Sequence, residues 1–217
     1  NKLRTCDADR CNTHRSGISK YCKRHTRAYE TYGHPNGRLI KPSEYREEKR
    51  KVETFVSSNK SHKGLLALEE RIGAWTLQAA EGMTVKGHRF VATVWRHGVT
   101  PAEIIIEAGA LFLMSQSRNI EQLQTPRGLT TTLGGAVFKL APKRVIGKRK
   151  YDLPTSKAKR ETGEHLIAEL GELFIRMQMR IKEFELEEKE SRDSIRNEPL
   201  SYVPPIPDDI NMRSIQA

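Results

Sequence analysis

Cysteine is scarce in this 217-residue chain and poorly placed for a disulfide framework: there are three, Cys6, Cys11 and Cys22, with none after position 22. An odd number crowded at one end argues against a disulfide-stapled fold and suits metal ligation better. Aromatic residues are also few, at 6%, and the hydrophobic fraction of 36% is low for a chain packed throughout. The mean hydropathy of -0.65 agrees. No run of about 18 apolar residues occurs, and residues 1–30 are polar and basic. Neither a membrane span nor a secretory leader is expected, and the chain reads as soluble and cytoplasmic. Acids are in deficit: 27 Asp and Glu against 38 Lys and Arg leave a net charge of +11. Such an excess points to a polyanionic partner, most often nucleic acid.

Several catalytic signatures are missing as well. There is no Gly-x4-Gly-Lys-Ser/Thr phosphate loop, no Gly-x-Ser-x-Gly elbow and no His-Glu-x-x-His. The carboxylates gather on charged helix faces rather than between apolar residues, so no enzyme is expected.

What is present is a ligand set for one closed tetrahedral zinc site, Cys6-x4-Cys11-x10-Cys22-x2-His25. Three thiolates and one imidazole leave no open position, which makes the expected zinc structural. Cys6 and Cys11 bracket a short turn, and Ser16-Gly17-Ile18-Ser19 supplies a hairpin bend. Cys22 and His25 would share one face of a first helical turn. Two alternatives stand beside this reading: His14 in place of His25, and three free thiols. A segment of about 35 residues has little core of its own, so metal would supply much of its folding free energy.

The stretch from Tyr21-Cys22-Lys23-Arg24-His25-Thr26-Arg27 to Tyr32-Gly33-His34-Pro35, with its upstream cysteine pair, resembles the treble-clef zinc modules of bacteriophage and mobile-element proteins. Their pattern, Gly-x-Cys-x-x-His-Tyr-x-Arg…Gly-Asp-Pro, often precedes a nuclease or DNA-binding region. The resemblance covers residues 4–38. The chain differs from the pattern at Lys20, Thr26, Ala28 and His34, none of them a ligand. A phage or mobile-element origin and an associated ββα-metal nuclease are what the resemblance implies. The later histidines, His62, His88, His97 and His165, are scattered without the nuclease pattern.

Residues 1–51 hold 14 Lys and Arg against 6 Asp and Glu. Lys20, Lys23, Arg24, Arg27 and Arg38 are the candidate nucleic-acid contacts there, with Tyr29 and Tyr32 as stacking or packing surface. A second basic run spans Lys139 to Arg160, with nine bases and one acid, Asp152. Pro142, Gly147 and Pro154 predict an extended arm, from which Lys143, Arg144, Lys148, Arg149 and Lys150 would meet phosphates without sequence preference. A solvated basic face without a partner is the plain alternative for both.

The intervening chain reads as helical. Residues 39–63 are expected to be a charged linker with a short helix at about 43–56. Ser61 would cap a helix carrying the stripe Leu65, Leu68, Ile72, Trp75 and Ala79. A short helix closed by Gly98 precedes Thr100-Pro101-Ala102-Glu103, a capping box that should start a helix running to about Ser117. This pair invites a helix-turn-helix reading. However, its second helix is apolar almost all round, so a buried central hairpin is the better expectation. His88 and His97 read as surface or capping residues. Residues 118–142 read as a loop and a short helix. A long helix to about Arg192 carries Ile167, Leu170, Phe174, Met177, Ile181 and Phe184, able to pair with the 65–79 helix or with its own copy in a dimer. Residues 193–217 read as a loose, Pro-rich tail.

The expected fold is therefore mainly α: a small N-terminal treble-clef zinc finger at 1–38, then a helical domain at 64–192 with a basic arm and a long C-terminal amphipathic helix. The expected function is zinc-dependent nucleic-acid binding, DNA before RNA, with no membrane and no small-molecule substrate as partner. The competing reading is a protein-docking module for host or virion machinery such as a polymerase.

Overall fold

Thr100, Pro101 and Glu103 set the start of the helix on which the fold is built. In the computed structural model, which describes residues 4–83, 87–142, 144–146 and 150–197 (side chains of His88, 144–146, 150–152 and 193–197 excepted), the Thr100 hydroxyl accepts the Glu103 amide at 3.2 Å. The Glu103 carboxylate accepts the Thr100 amide at 2.7 Å. The Thr100 amide and hydroxyl, both donating to it, hold the Glu103 carboxyl below its usual range, and the two amide bonds satisfy donors that a helix start leaves orphaned.

The chain order is mainly helical: α1 (Lys23–Tyr32), a 3-10 turn (Pro42–Tyr45), α2 (Arg46–Ser58), α3 (Lys63–Ala80), α4 (His88–Arg96), α5 (Pro101–Ser117), α6 (Glu121–Gln124), α7 (Pro126–Val137), β1 (Arg144–Ile146), β2 (Lys150–Asp152) and α8 (Ser156–Asn197). Two compact units divide it, residues 1–179 and 180–217.

Helix α5 is the core of the first unit. Ile104, Ile105, Ala108, Ala110, Leu111 and Met114 are all but inaccessible, so no face is left for a nucleic-acid groove, and the helix-turn-helix reading has no recognition helix. Each large aliphatic side chain buried there is worth about 1.5–3 kcal/mol. Helices α2 and α7 pack on α5, and α4 packs on α3. At Gly109 of α5 three neighbours converge: a Cβ there would lie 3.0 Å from Met177, 3.2 Å from Val52 and 3.4 Å from Phe174.

Residues 39–63 are not the free charged linker their composition predicts. Their short helix forms, but α2 is part of the core through Val52 and Val56, preceded by buried Tyr45. Two buried acids hid this face from a hydropathy reading. Glu48 is bound by Arg118 at 2.9 and 3.2 Å. Glu107 of α5 accepts the Tyr45 hydroxyl and, at 3.0 Å, the Lys49 ammonium. Paired and hydrogen-bonded, such carboxylates are tolerated inside, and burial beside Glu107 pushes the Tyr45 hydroxyl pKa well up.

Helix α3 buries Leu65, Ile72, Trp75 and Ala79, the predicted stripe with Leu68 half-buried. Its cap is His62, whose Nδ1 accepts the Gly64 amide at 3.2 Å, not Ser61. Side chains of α3 meet α8: Arg71 pairs with Glu169, and Trp75 stacks on His165 with centroids 4.5 Å apart. Residues 118–142 form two helices, α6 and α7, rather than one. Pro126 opens α7 behind Thr125, whose hydroxyl accepts the Gly128 amide at 3.1 Å.

The long helix departs from its predicted stripe in two places. Leu166, Leu170, Phe174 and Met177 are buried, whereas Ile167 is half-buried. Helix α8 crosses α7 closely enough that a Cβ at Gly163 would lie 1.9 Å from the Thr130 carbonyl oxygen, and one at Gly134 1.9 Å from that of Lys159. That crossing turns Leu166 rather than Ile167 toward the core. In the second unit the helix continues to Asn197, past the expected end at Arg192, with Phe184 exposed. The tail reading falls largely on residues 198–217, outside the described residues.

The basic run from Lys139 to Arg160 is not one extended arm. Its centre folds back on itself as an antiparallel hairpin pairing Arg144 with Asp152, Val145 with Tyr151 and Ile146 with Lys150, and its end is the first turn of α8. Among the described residues, no helix is long and apolar enough to cross a membrane.

Candidate metal centre and nucleic-acid interface

Residues 4–33 build the centre from two turns and one helix end. The first turn is closed by the Cys11 amide on the Ala8 carbonyl at 3.1 Å, with Arg10 in the left-handed region at φ 58°. Thr5 and His14 pair as an isolated antiparallel bridge, and the Cys6 amide donates to the Thr13 carbonyl at 2.9 Å. Beyond it the predicted bend forms around Gly17, at φ 57°, where the Ser19 amide donates to the Ser16 carbonyl. The Ser16 amide reaches Tyr21, and the Asp7 amide reaches Lys20 at 3.0 Å. These bonds draw the cysteine turn onto the start of α1.

Cys22 is the N-cap of α1 and His25 lies in its first turn, so the helix geometry itself sets the second ligand pair. The four candidate ligand atoms all lie within 4.8 Å of one another. Cys6 Sγ is 3.3 Å and Cys22 Sγ 3.5 Å from His25 Nδ1, and Cys11 Sγ is 4.0 Å from Cys22 Sγ. Zinc–sulfur bonds of about 2.3 Å and zinc–nitrogen bonds of about 2.0 Å at tetrahedral angles require ligand separations of roughly 3.5–3.8 Å. The separations lie around that range, and the cluster could hold one metal ion. His14, the alternative ligand, is held in the bridge to Thr5 and exposed, outside the cluster.

The surroundings suit thiolate ligands. The Cys22 amide donates to Cys6 Sγ at 3.2 Å, a backbone contact that stabilises negative sulfur. Burial raises the Cys6 thiol, whereas hydrogen bonds from Thr13 lower that of Cys11. Thr26 ties the bend to the helix: its hydroxyl is 2.8 Å from that of Ser19 and donates to the Tyr21 carbonyl at 3.3 Å.

The candidate contacts fall into three groups. Lys20, Lys23, Arg24 and Arg27 are exposed on the bend and on α1. Lys23 and Arg27 are neighbours by their i,i+4 spacing. Arg38 is exposed too, but both its terminal nitrogens bind Glu44, at 2.8 and 2.6 Å, which spends its charge. Lys143, Lys148 and Arg149 lie outside the described residues, as do the side chains of Arg144 and Lys150. Of the later histidines, His62 caps α3 and His97 caps α4.

The module is mounted on α6 and α7 by contacts that no sequence pattern reveals. The Arg127 guanidinium of α7 lies 4.3 Å from the Tyr29 ring centroid. The Arg38 amide donates to Gln122 Oε1 at 2.9 Å, and Asn36 donates to Glu121 at 3.4 Å. Partners some 85 residues apart leave no local pattern to read. No protein-family model, no curated protein and no solved structure matches this chain.

Proposed function

We propose that the chain is a zinc-dependent nucleic-acid-binding protein whose N-terminal segment is a treble-clef finger, and that double-stranded DNA is its partner. The observation that carries the reading is the meeting of Cys6, Cys11, Cys22 and His25 within 4.8 Å, beside four exposed bases on the same turn and helix. Zinc at these ligands supplies folding free energy, on the order of 10–16 kcal/mol in isolated finger peptides. This chain's residues then do the binding. Among the described residues, Lys20, Lys23, Arg24 and Arg27 have no acid partner, so a phosphate backbone meets them without first displacing an ion pair.

A second reading, docking to a protein partner, is favoured by Ile175 and Met179, exposed one turn apart on α8. The two separate cleanly in one experiment. Zinc-loaded protein is titrated against labelled duplex DNA, duplex RNA and single strands at several salt concentrations, with zinc content measured in the same samples. One zinc per chain and duplex affinity falling steeply with salt support the proposal. Zinc without duplex binding at physiological salt overturns it and leaves protein docking.

A further inference from the structure

A cavity of about 440 Å³ lies beside the mount of the metal module, walled by α1, α4, α5, α7 and the start of α8. Its volume is in the range of small-molecule sites, about 300–1,000 Å³. Its wall is mostly apolar, with Ile40, Phe90, Leu111, Ala136, Phe138 and Leu153 prominent.

The polar groups of the wall are largely consumed within the fold. Thr93 and Thr131 hydroxyls donate to helix carbonyls, Gln122 binds Thr132 and the Arg38 amide, Tyr45 donates to Glu107, and Arg38 is held by Glu44. Two cations are left over. Lys139, exposed at the rim, and Lys159, half-buried, both line the cavity, and among the described residues neither has an ion-pair partner and no acid joins them in the wall. Partial burial holds both ammonium groups below the usual lysine range; at Lys139 the charge of Lys159 adds to the effect and the carboxylate of Glu107, itself bound by Tyr45 and Lys49 outside the wall, opposes it. Two like charges beside an apolar wall favour an anion with an apolar body, which relieves their repulsion while filling the space.

We propose that this cavity binds a small organic carboxylate with an apolar body, its charge seated between Lys139 and Lys159. The proposal rests on the cavity's own groups and does not depend on the nucleic-acid reading.

The test titrates the whole 217-residue chain, zinc-loaded, with octanoate, octan-1-ol, acetate and inorganic phosphate, followed by methyl chemical shifts. Octanoate should bind one per chain, about ten-fold or more tighter than octan-1-ol, with shifts at Ile40 and Leu111, while acetate and phosphate leave those methyls unmoved. Lys139→Gln and Lys159→Gln should each weaken octanoate about three- to ten-fold and leave octan-1-ol unchanged. Both variants are checked for zinc content and helicity. Equal binding of the alcohol, shifts confined to exposed Leu66 and Ile175, undiminished octanoate binding by both variants, or phosphate binding as well as octanoate would each overturn the proposal.

Discussion

Arg127 engages Tyr29 and the turn behind it with two parts of one residue: its guanidinium lies over the Tyr29 ring, and its carbonyl oxygen occupies the space a side chain at Gly33 would need. Gly33 ends α1 at φ 79°, and a Cβ there would lie 2.7 Å from that oxygen. The module is thus seated on the N-terminal turn of α7. Gly33→Ala combines a left-handed backbone with a backbone clash and should cost about 2–4 kcal/mol. Arg127→Ala, which removes only the cation–π contact, should cost about 0.5–1 kcal/mol. Urea unfolding gives the ordering, and hydrogen exchange over residues 22–38 shows where protection falls.

Removing the metal should unfold the module and spare the body. The cluster of Cys6, Cys22 and Ala8 is a small buried group by itself, too small to stand without its ion, whereas α5 and its neighbours bury a full core. Cys22→Ser, or a chelator, should abolish zinc binding and collapse hydrogen-exchange protection over residues 4–33. The slowest amides of α5 should keep theirs. Loss of protection in α5 to the same extent would show that the two parts fold as one.

How far the sequence reveals this arrangement depends on how local each signal is. The ligand set is carried by spacings of a few residues, and the start of α5 by the four residues Thr100 to Glu103, so both are legible. The burial of α2 is not, because its Glu48 is neutralised by Arg118, 70 positions away. The Lys139–Arg160 run misled for the same reason: the hairpin pairing Arg144 with Asp152 and the seating of Lys159 beside α7 depend on tertiary contacts, while its composition shows only charge.

The α7–α8 crossing offers a contrast within one helix. At Gly163 a Cβ would meet the Thr130 carbonyl oxygen at 1.9 Å, while at Gly171 it would meet only Ile167 at 3.9 Å. Gly163→Ala should therefore destabilise by about 3 kcal/mol or more, as overpacking against backbone that cannot yield does. Gly171→Ala should stabilise by about 0.5–1 kcal/mol through helix propensity. Opposite shifts of the urea midpoint for the same substitution eight residues apart would establish the close crossing.

The Arg38–Glu44 pair makes a pH-dependent contribution. The Arg38 guanidinium and the Lys41 amide hold the Glu44 carboxyl at about 2, against an ordinary value of 4.5. A carboxylate depressed on folding adds stability that is present above its unfolded value and lost as pH falls toward the folded one. Arg38 is more than half exposed, so screening by solvent limits the contribution to about 1 kcal/mol. Glu44→Gln should be less stable than wild type by that amount at pH 7. The gap should close between about pH 4.5 and pH 2, because the variant has nothing to protonate.

The same pair decides which bases can serve a polyanion. Arg38 resembles Lys23 and Arg27 in sequence, all three being exposed bases within the first 38 residues, but its guanidinium is already forked onto a carboxylate. The salt slope of duplex binding falls by about 0.9 for each phosphate that a variant no longer neutralises. Replacing Lys23 and Arg27 together by Gln should lower it by about 2, while Arg38→Gln should leave it unchanged within error. A slope reduced equally by all three would mean that Arg38 exchanges Glu44 for phosphate, a competition that Glu44→Gln would reveal as tighter duplex binding. A slope untouched by any of them would place the polyanion elsewhere and remove the role proposed here for the first turn of α1.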